Sequence, residues 1–243
     1  RFTYFGFRYV RVTGWVGKLN SSDFVGIALY SDMKITGSIE TGHKGVNQLF
    51  SNTLWGQKSN FIDFPTDCPQ RDERLGWTGD AQVFSGTASY NMDTAAFYNK
   101  FLHDLRTEQV KYDGILPGVI PVFEPERIIF SSVWGDLATI LPTVLMEHYG
   151  DSVALSHYYP MMKDWVDKIT KEDKKRGQRY LYDFGNQLGD WLALDGRTSQ
   201  SMEGGTDTYF IGSCYYAMSV KMTADAAKIL GNDSDCAYYN DLY

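Results

Sequence analysis

The residues best equipped for chemistry lie in one short run, Asp67-Cys68-Pro69-Gln70-Arg71-Asp72-Glu73-Arg74-Leu75-Gly76-Trp77-Thr78-Gly79-Asp80. Standing alone, an Arg-Asp-Glu-Arg stretch has the composition of a solvated surface with weak ion pairs. This one has unusual flanks. Pro65 and Pro69 prevent a simple helix ahead of it, Gly76 and Gly79 allow tight turns after it, and Trp77 is a costly loop residue unless it packs or binds something. Acidic side chains this close suit cleavage of a glycosidic bond. That reaction needs one protonated carboxyl to assist the leaving oxygen and one carboxylate to activate water or attack carbon. Crowding among Asp67, Asp72, Glu73 and Asp80 would raise the proton affinity of the least solvated, while Arg71 and Arg74 would keep the others charged. A sugar ring also has an apolar face and a rim of hydroxyls, which calls for aromatic platforms beside carboxylates. Trp77 with Asp80, Trp134 with Asp136, and Asp190 with Trp191 supply such pairs. One tryptophan is more often core than platform, but three Trp/Asp pairs in or beside long loops favour the sugar.

The elements that must hold these residues are mostly helical. Phe5, Phe7 and Tyr9 alternate with Arg8, Val10 and Val12, and a second β-rich run covers residues 24–30, so residues 1–40 read as strands at the end of a β-sandwich. Residues 41–45 look like a boundary. From Val46 the period is helical, with Val46, Phe50 and Leu54 on one face. Further stripes are Phe97, Phe101 and Leu105 behind an Asp93 N-cap; residues 137–145, bent at Pro142 and ending near Gly150; Tyr158, Met162, Trp165 and Ile169, entered through Asp151 and Pro160; and Tyr215, Met218, Met222 and Ala226, stopped by Gly231. A last helix starts near Asp235. The pattern predicts six or seven helices, without βα alternation or repeats. Residues 60–76, 114–132 and 183–206 exceed the usual helix–helix link of about 2–8 residues, and long aromatic loops of this kind are usually functional.

The formal net charge of -7 and the lack of a basic cluster argue against a nucleic-acid partner. No apolar run approaches the roughly 20 residues of a membrane helix. Three scattered cysteines suggest neither a disulfide framework nor a metal site, and His43, His103, His148 and His157 are dispersed without metal-ligand spacing, so no metal or cofactor is expected. Compartment and oligomeric state have no signal.

Taken together, residues 47–61 and 67–80, Ser132-Val133-Trp134-Gly135-Asp136 and Gly189-Asp190-Trp191-Leu192 resemble the bacterial α-L-rhamnosidases of glycoside hydrolase family 78. Gly6-Phe7-Arg8-Tyr9-Val10 is similar to the last strand of that family's β-sandwich domain. The resemblance implies an (α/α)6 barrel, of which residues 41–243 would be the first half and residues 1–40 the strands before it. It implies removal of terminal α-L-rhamnose from rhamnosides with inversion at the anomeric carbon. Glu73 would be the general acid. Asp67 and Asp80, with Arg71, would hold the rhamnose hydroxyls; Trp77, Trp134 and Trp191 would line the pocket, with Asp136 and Asp190 as further polar contacts. Spacing from Leu75, Gly76 and Trp77 selects Glu73 over Asp72. The family's general base, a glutamate of the second half-barrel, would lie beyond Tyr243, so residues 1–243 alone are expected to be inactive. The rival readings are a metal-dependent hydrolase, a carbohydrate-binding or catalytically degenerate barrel, and a related glycosidase acting on another neutral sugar.

Overall fold

Seven α-helices and two single-turn 3-10 helices, Ser21–Asp23 and Pro125–Arg127, make up the regular structure of the computed structural model, which describes residues 3–196, 198 and 200–243. The α-helices are α1 (Lys44–Asn60), α2 (Thr78–Asn91), α3 (Ala95–Lys111), α4 (Leu137–Tyr149), α5 (Ser152–Lys175), α6 (Thr208–Ile229) and α7 (Asp233–Leu242). Their starts follow from local chemistry. Asp151 Oδ1 accepts the Ala154 N–H (2.8 Å) ahead of α5, Asp207 caps α6 through the Tyr209 and Phe210 N–H groups, and Asn232 caps α7 through Asp235. Gly150 ends α4 in the left-handed conformation (φ 64°). Ahead of α3 the cap position falls on Thr94, one residue after Asp93, whose carboxylate still accepts the Ala95 N–H at 3.3 Å. Pro160 lies inside α5, where the sequence suggested an entrance.

α4 is apolar almost all round, the pattern of an enclosed helix, and it packs against α2, α3, α5 and α6. Its Leu137, Leu141 and Leu145 join Phe101, Leu102 and Leu105 of α3, Trp165, Val166 and Ile169 of α5, and Tyr216 and Val220 of α6 in one core. Each large side chain removed from water there contributes about 1.5–3 kcal/mol.

α2 has no apolar stripe, because its buried side are Thr78, Gly79, Ala81, Ser85, Ala88 and Ser89, small residues that let a neighbour approach closely. The strands expected over residues 1–40 are not formed among the described residues, where a turn at Ser21–Asp23 and a single bridge, Ile35 to Met92, are the regular features. A strand needs a partner for its ladder, and here Phe5, Phe7, Tyr9, Val25 and Ile27 stay exposed. The segment instead touches the helices at points: Gly6 N–H donates to Pro69 O (3.1 Å), and Thr36 and Gly37 N–H donate to Asn91 O (3.0 and 3.1 Å).

Candidate active site

The acidic run folds as a loop between α1 and α2 and closes on itself. Asp67 N–H donates to Leu75 O (3.0 Å), and Leu75 N–H returns to Asp67 Oδ1 (2.9 Å). The reversal needs Arg74 in the left-handed region (φ 51°), an uncommon conformation for a residue with a side chain. It is held by the Arg74 guanidinium, which donates to Tyr4 O (2.7 Å) and lies over the Tyr4 ring.

Inside this loop four expected site residues are brought together. Arg71 Nε donates to Glu73 Oε2 (2.8 Å), a second Arg71 nitrogen reaches Asp67 Oδ2 (3.4 Å), and the Trp77 indole N–H donates to Glu73 Oε1 (3.0 Å). The Arg71 contact is the largest influence on Glu73 and holds its carboxyl below the usual carboxylate range; the Trp77 bond acts in the same direction against partial burial. Asp72 points into solvent and meets only Arg74, at 3.9 Å. Asp80, in the first turn of α2, shows the opposite behaviour to Glu73. Removal of water by the surrounding protein, and next the Asp67 charge, raise its proton affinity.

Asp67, Cys68 and Glu73 bring potential ligand atoms within 4.8 Å of one another. The donor set fits a cation poorly. Arg71 already supplies the positive charge between the two carboxylates, and burial pushes the Cys68 thiol up, away from the thiolate that metals bind.

Two depressions meet at Asp80. One, of about 400 Å³, runs from α1 past Asp67; the other, of about 500 Å³, is lined by Gly79, Trp134, Asp190, Trp191 and Tyr215 among others. Trp134 packs flat on the start of α2, where a Cβ at Gly79 would stand 2.5 Å from its ring. Trp191 is 42 % exposed, and Asp190 lies at the same rim. Left-handed residues follow or precede each of these groups: Arg74 after Glu73, Val133 (φ 68°) before Trp134 and Leu192 (φ 60°) after Trp191. Strain of this kind persists where surrounding structure over-determines it, and it clusters at functional sites.

Asp136 departs from the expectation. Its carboxylate is fully buried and accepts from Val133 N–H (2.8 Å), Trp165 Nε1 (2.9 Å) and Ser219 Oγ (2.6 Å), so it has no face left for a sugar. It ties the left-handed Val133 to α5 and α6 and thereby fixes the turn that presents Trp134. A groove of about 650 Å³ between α4, α5 and α6 shares no residue with the acidic loop.

Comparison with known proteins matches this geometry to one family. Residues 34–243 match the bacterial alpha-L-rhamnosidase 6 hairpin glycosidase domain. The chain belongs to the bacterial α-L-rhamnosidase family. An alpha-L-rhamnosidase of Formosa agariphila is 39% identical over 248 residues, covering 100% of this chain and 26% of that protein. One from Streptomyces avermitilis is 37% identical over 243 residues, covering 100% of this chain and 22% of the relative. Among solved structures, native rhamnosidase from Aspergillus terreus superposes with a TM-score of 0.78 at 37% identity, over 87% of this chain and 24% of that one. The Streptomyces avermitilis enzyme complexed with L-rhamnose gives 0.76 at 36% identity, over 88% and 19%. The chain thus spans about a quarter of the curated rhamnosidases it matches. For this rhamnosidase-family chain, sequence reasoning missed Tyr215, which lines the cleft although it sits at core spacing with Met218 and Met222 on α6. Periodicity alone offers no signal that separates it from them.

Proposed function

We propose that these residues form the acid side of an inverting α-L-rhamnosidase site that removes terminal α-L-rhamnose from rhamnosides. The observation that carries the reading is the hydrogen-bonded convergence of Asp67, Arg71, Glu73 and Trp77 beside the cleft at Asp80. Glu73 is the general acid. Asp67, Asp80 and Asp190 accept hydrogen bonds from the sugar hydroxyls, with Arg71 donating, Trp134 and Trp191 offer apolar faces that suit a deoxy sugar with a methyl group, and Trp77 holds Glu73 through its indole N–H. On this reading residues 41–243 are the first half of an (α/α)6 barrel, and residues 1–40 close a β-sandwich domain.

In the reaction, Glu73 gives its proton to the glycosidic oxygen as the bond from that oxygen to the anomeric carbon breaks. A water attacks the opposite face of the carbon and loses its proton to a general base. The leaving alcohol departs neutral, Glu73 is left ionised, and the sugar emerges inverted. The base comes from outside residues 1–243. Two carboxyl groups about 6.5–9.5 Å apart, with water between them, are what inversion requires.

As drawn, Arg71 keeps Glu73 ionised, whereas an acid must carry a proton. Sugar binding supplies the change, by excluding water and by drawing the Arg71 guanidinium onto a hydroxyl, both of which raise the Glu73 pKa. A second assignment is Asp80, at the meeting of the two depressions, whose proton affinity the surrounding protein and the Asp67 charge raise. Glu73→Gln and Asp80→Asn in the full-length protein separate the two. Loss of the true acid costs well over tenfold on alkyl rhamnosides and much less on 4-nitrophenyl α-L-rhamnoside, whose leaving group needs no proton. A residue that only binds sugar loses both substrates alike. Wild-type turnover of alkyl rhamnosides by Glu73→Gln would remove the role given to Glu73.

A further inference from the structure

Residues 117–120 are clamped onto the end of the acidic loop. Thr78 N–H donates to Gly118 O (2.9 Å), Ile120 N–H donates to Gly76 O (2.9 Å), and Trp77 pairs with Val119 in an antiparallel bridge. The clamp leaves a pocket of about 320 Å³ between the loop and the chain that follows. Its walls include Leu75, Trp77, Val119, Val122, Phe123 and Ile128, and Glu124 is the one charged residue among those lining it. This volume lies at the lower end of the range of about 300–1,000 Å³ usual for small-molecule sites.

Trp77 connects this pocket to the candidate acid. Its indole N–H donates to Glu73 Oε1 at 3.0 Å, and the same residue lines the pocket. An acid that protonates a glycosidic oxygen touches the atom joining sugar and leaving group, so the leaving group extends from the acid away from the sugar. The cleft at Asp67, Asp80, Trp134 and Trp191 takes the sugar side. The Trp77 pocket shares that indole with Glu73 and has no lining residue in common with the cleft.

We propose that the pocket between Trp77 and residues 119–129 is the leaving-group subsite, and that it accepts a planar, apolar aglycone such as an aryl ring in preference to a second sugar. The inference rests on the rhamnosidase reading. Its chemistry follows from the walls. A sugar placed there would set hydroxyls against valine, isoleucine and phenylalanine side chains, with few partners to replace lost water. An aryl ring loses no hydrogen bonds on leaving water and would also cover Phe123, a lining residue that is 58 % exposed.

The test uses the full-length protein, 4-nitrophenyl α-L-rhamnoside as substrate and free L-rhamnose as competitive inhibitor. Phe123→Ser is accommodated by an already exposed position, and Val122→Ser provides an independent second change. Each is expected to lower kcat/KM for the aryl rhamnoside about five- to tenfold, mainly through KM, while the Ki of L-rhamnose stays within about twofold of wild type. Unchanged aryl kcat/KM in both variants overturns the proposal. So does a parallel loss of L-rhamnose affinity, which would mark a general structural effect. Failure of the wild type to hydrolyse any rhamnoside would instead remove the reading beneath it, and is distinguishable because the variants are then not needed.

Discussion

Arg71 decides which form Glu73 takes, since its guanidinium is the largest influence on that carboxyl and the Trp77 indole the next to favour the anion. Replacing Arg71 with methionine removes the positive neighbour and raises the Glu73 pKa. For a group acting as acid, activity falls as pH rises through its pKa. The alkaline limb of kcat/KM for an alkyl rhamnoside is therefore expected to move to higher pH in Arg71→Met, even as the rate falls from lost sugar contacts; an unmoved limb would sever the link between the two residues. Asp136 makes a separate prediction at the same scale. Burial raises its proton affinity, so the folded chain binds more protons than the unfolded chain once pH exceeds the ordinary carboxylate value of about 3.9. Its contribution to stability is full below that value and declines as pH rises towards the raised folded value. Asp136→Asn abolishes this slope, so the difference in urea midpoint between wild type and variant should shift in the variant's favour across that window. Asp136→Ala, which strands the Val133, Trp165 and Ser219 donors, should cost about 2–5 kcal/mol by the same measurement.

Among the elements, α2 is the one whose precision the cleft depends on, and it is the one periodicity did not reveal. α3, α4 and α5 were legible because each buries large side chains on a recurring face, and α7 because it starts at a recognisable cap; α1 and α6 were legible as helices, but α1 buries only Gln57 and α6 turns Tyr216 and Val220 inward rather than Tyr215, Met218 and Met222. α2 buries glycine, alanine, serine and threonine, whose small size carries the packing without an apolar rhythm. The acidic loop was legible as a cluster because carboxylates, arginine and tryptophan are rarely grouped without purpose. The opposite fates of Trp134 and Asp136 were not. Two residues apart on a tight turn, one faces the cleft and the other the core, and a Trp-Gly-Asp triplet does not encode which. Gly79 tests the fit between α2 and that turn. An alanine there would meet the Trp134 ring at 2.5 Å, and a fused ring cannot flex aside. Gly79→Ala is expected to cost about 1–3 kcal/mol of stability and to raise KM for rhamnosides. Wild-type values for both would show that Trp134 moves freely.

Across the molecule many large apolar side chains stay exposed. The groove between α4, α5 and α6 is lined by Met146, Leu155, Met218, Met222 and Ile229, and Leu49 and Phe210 are each 64 % exposed. Patches of that kind mark surfaces meant to be covered. Residues 1–243 prepared by themselves are therefore expected to self-associate in light scattering and to release no rhamnose. A monodisperse sample hydrolysing rhamnosides would mean that the general base lies within these residues. Among the described residues no helix is long and apolar enough to cross a membrane. The N-terminal segment has a different relation to the rest. It is mostly exposed, yet Tyr4 and Gly6 grip the acidic loop through Arg74 and Pro69, and a side chain at Gly6 would collide with Gln70 at 2.9 Å. For anyone recombining modules between relatives, the seam suggested by helix boundaries, just ahead of Lys44, is the wrong place to cut. A chimera that keeps the helices and takes its leading segment from another protein inherits an acidic loop shaped by foreign hands, whereas one that carries residues 3–8 along brings its own mould.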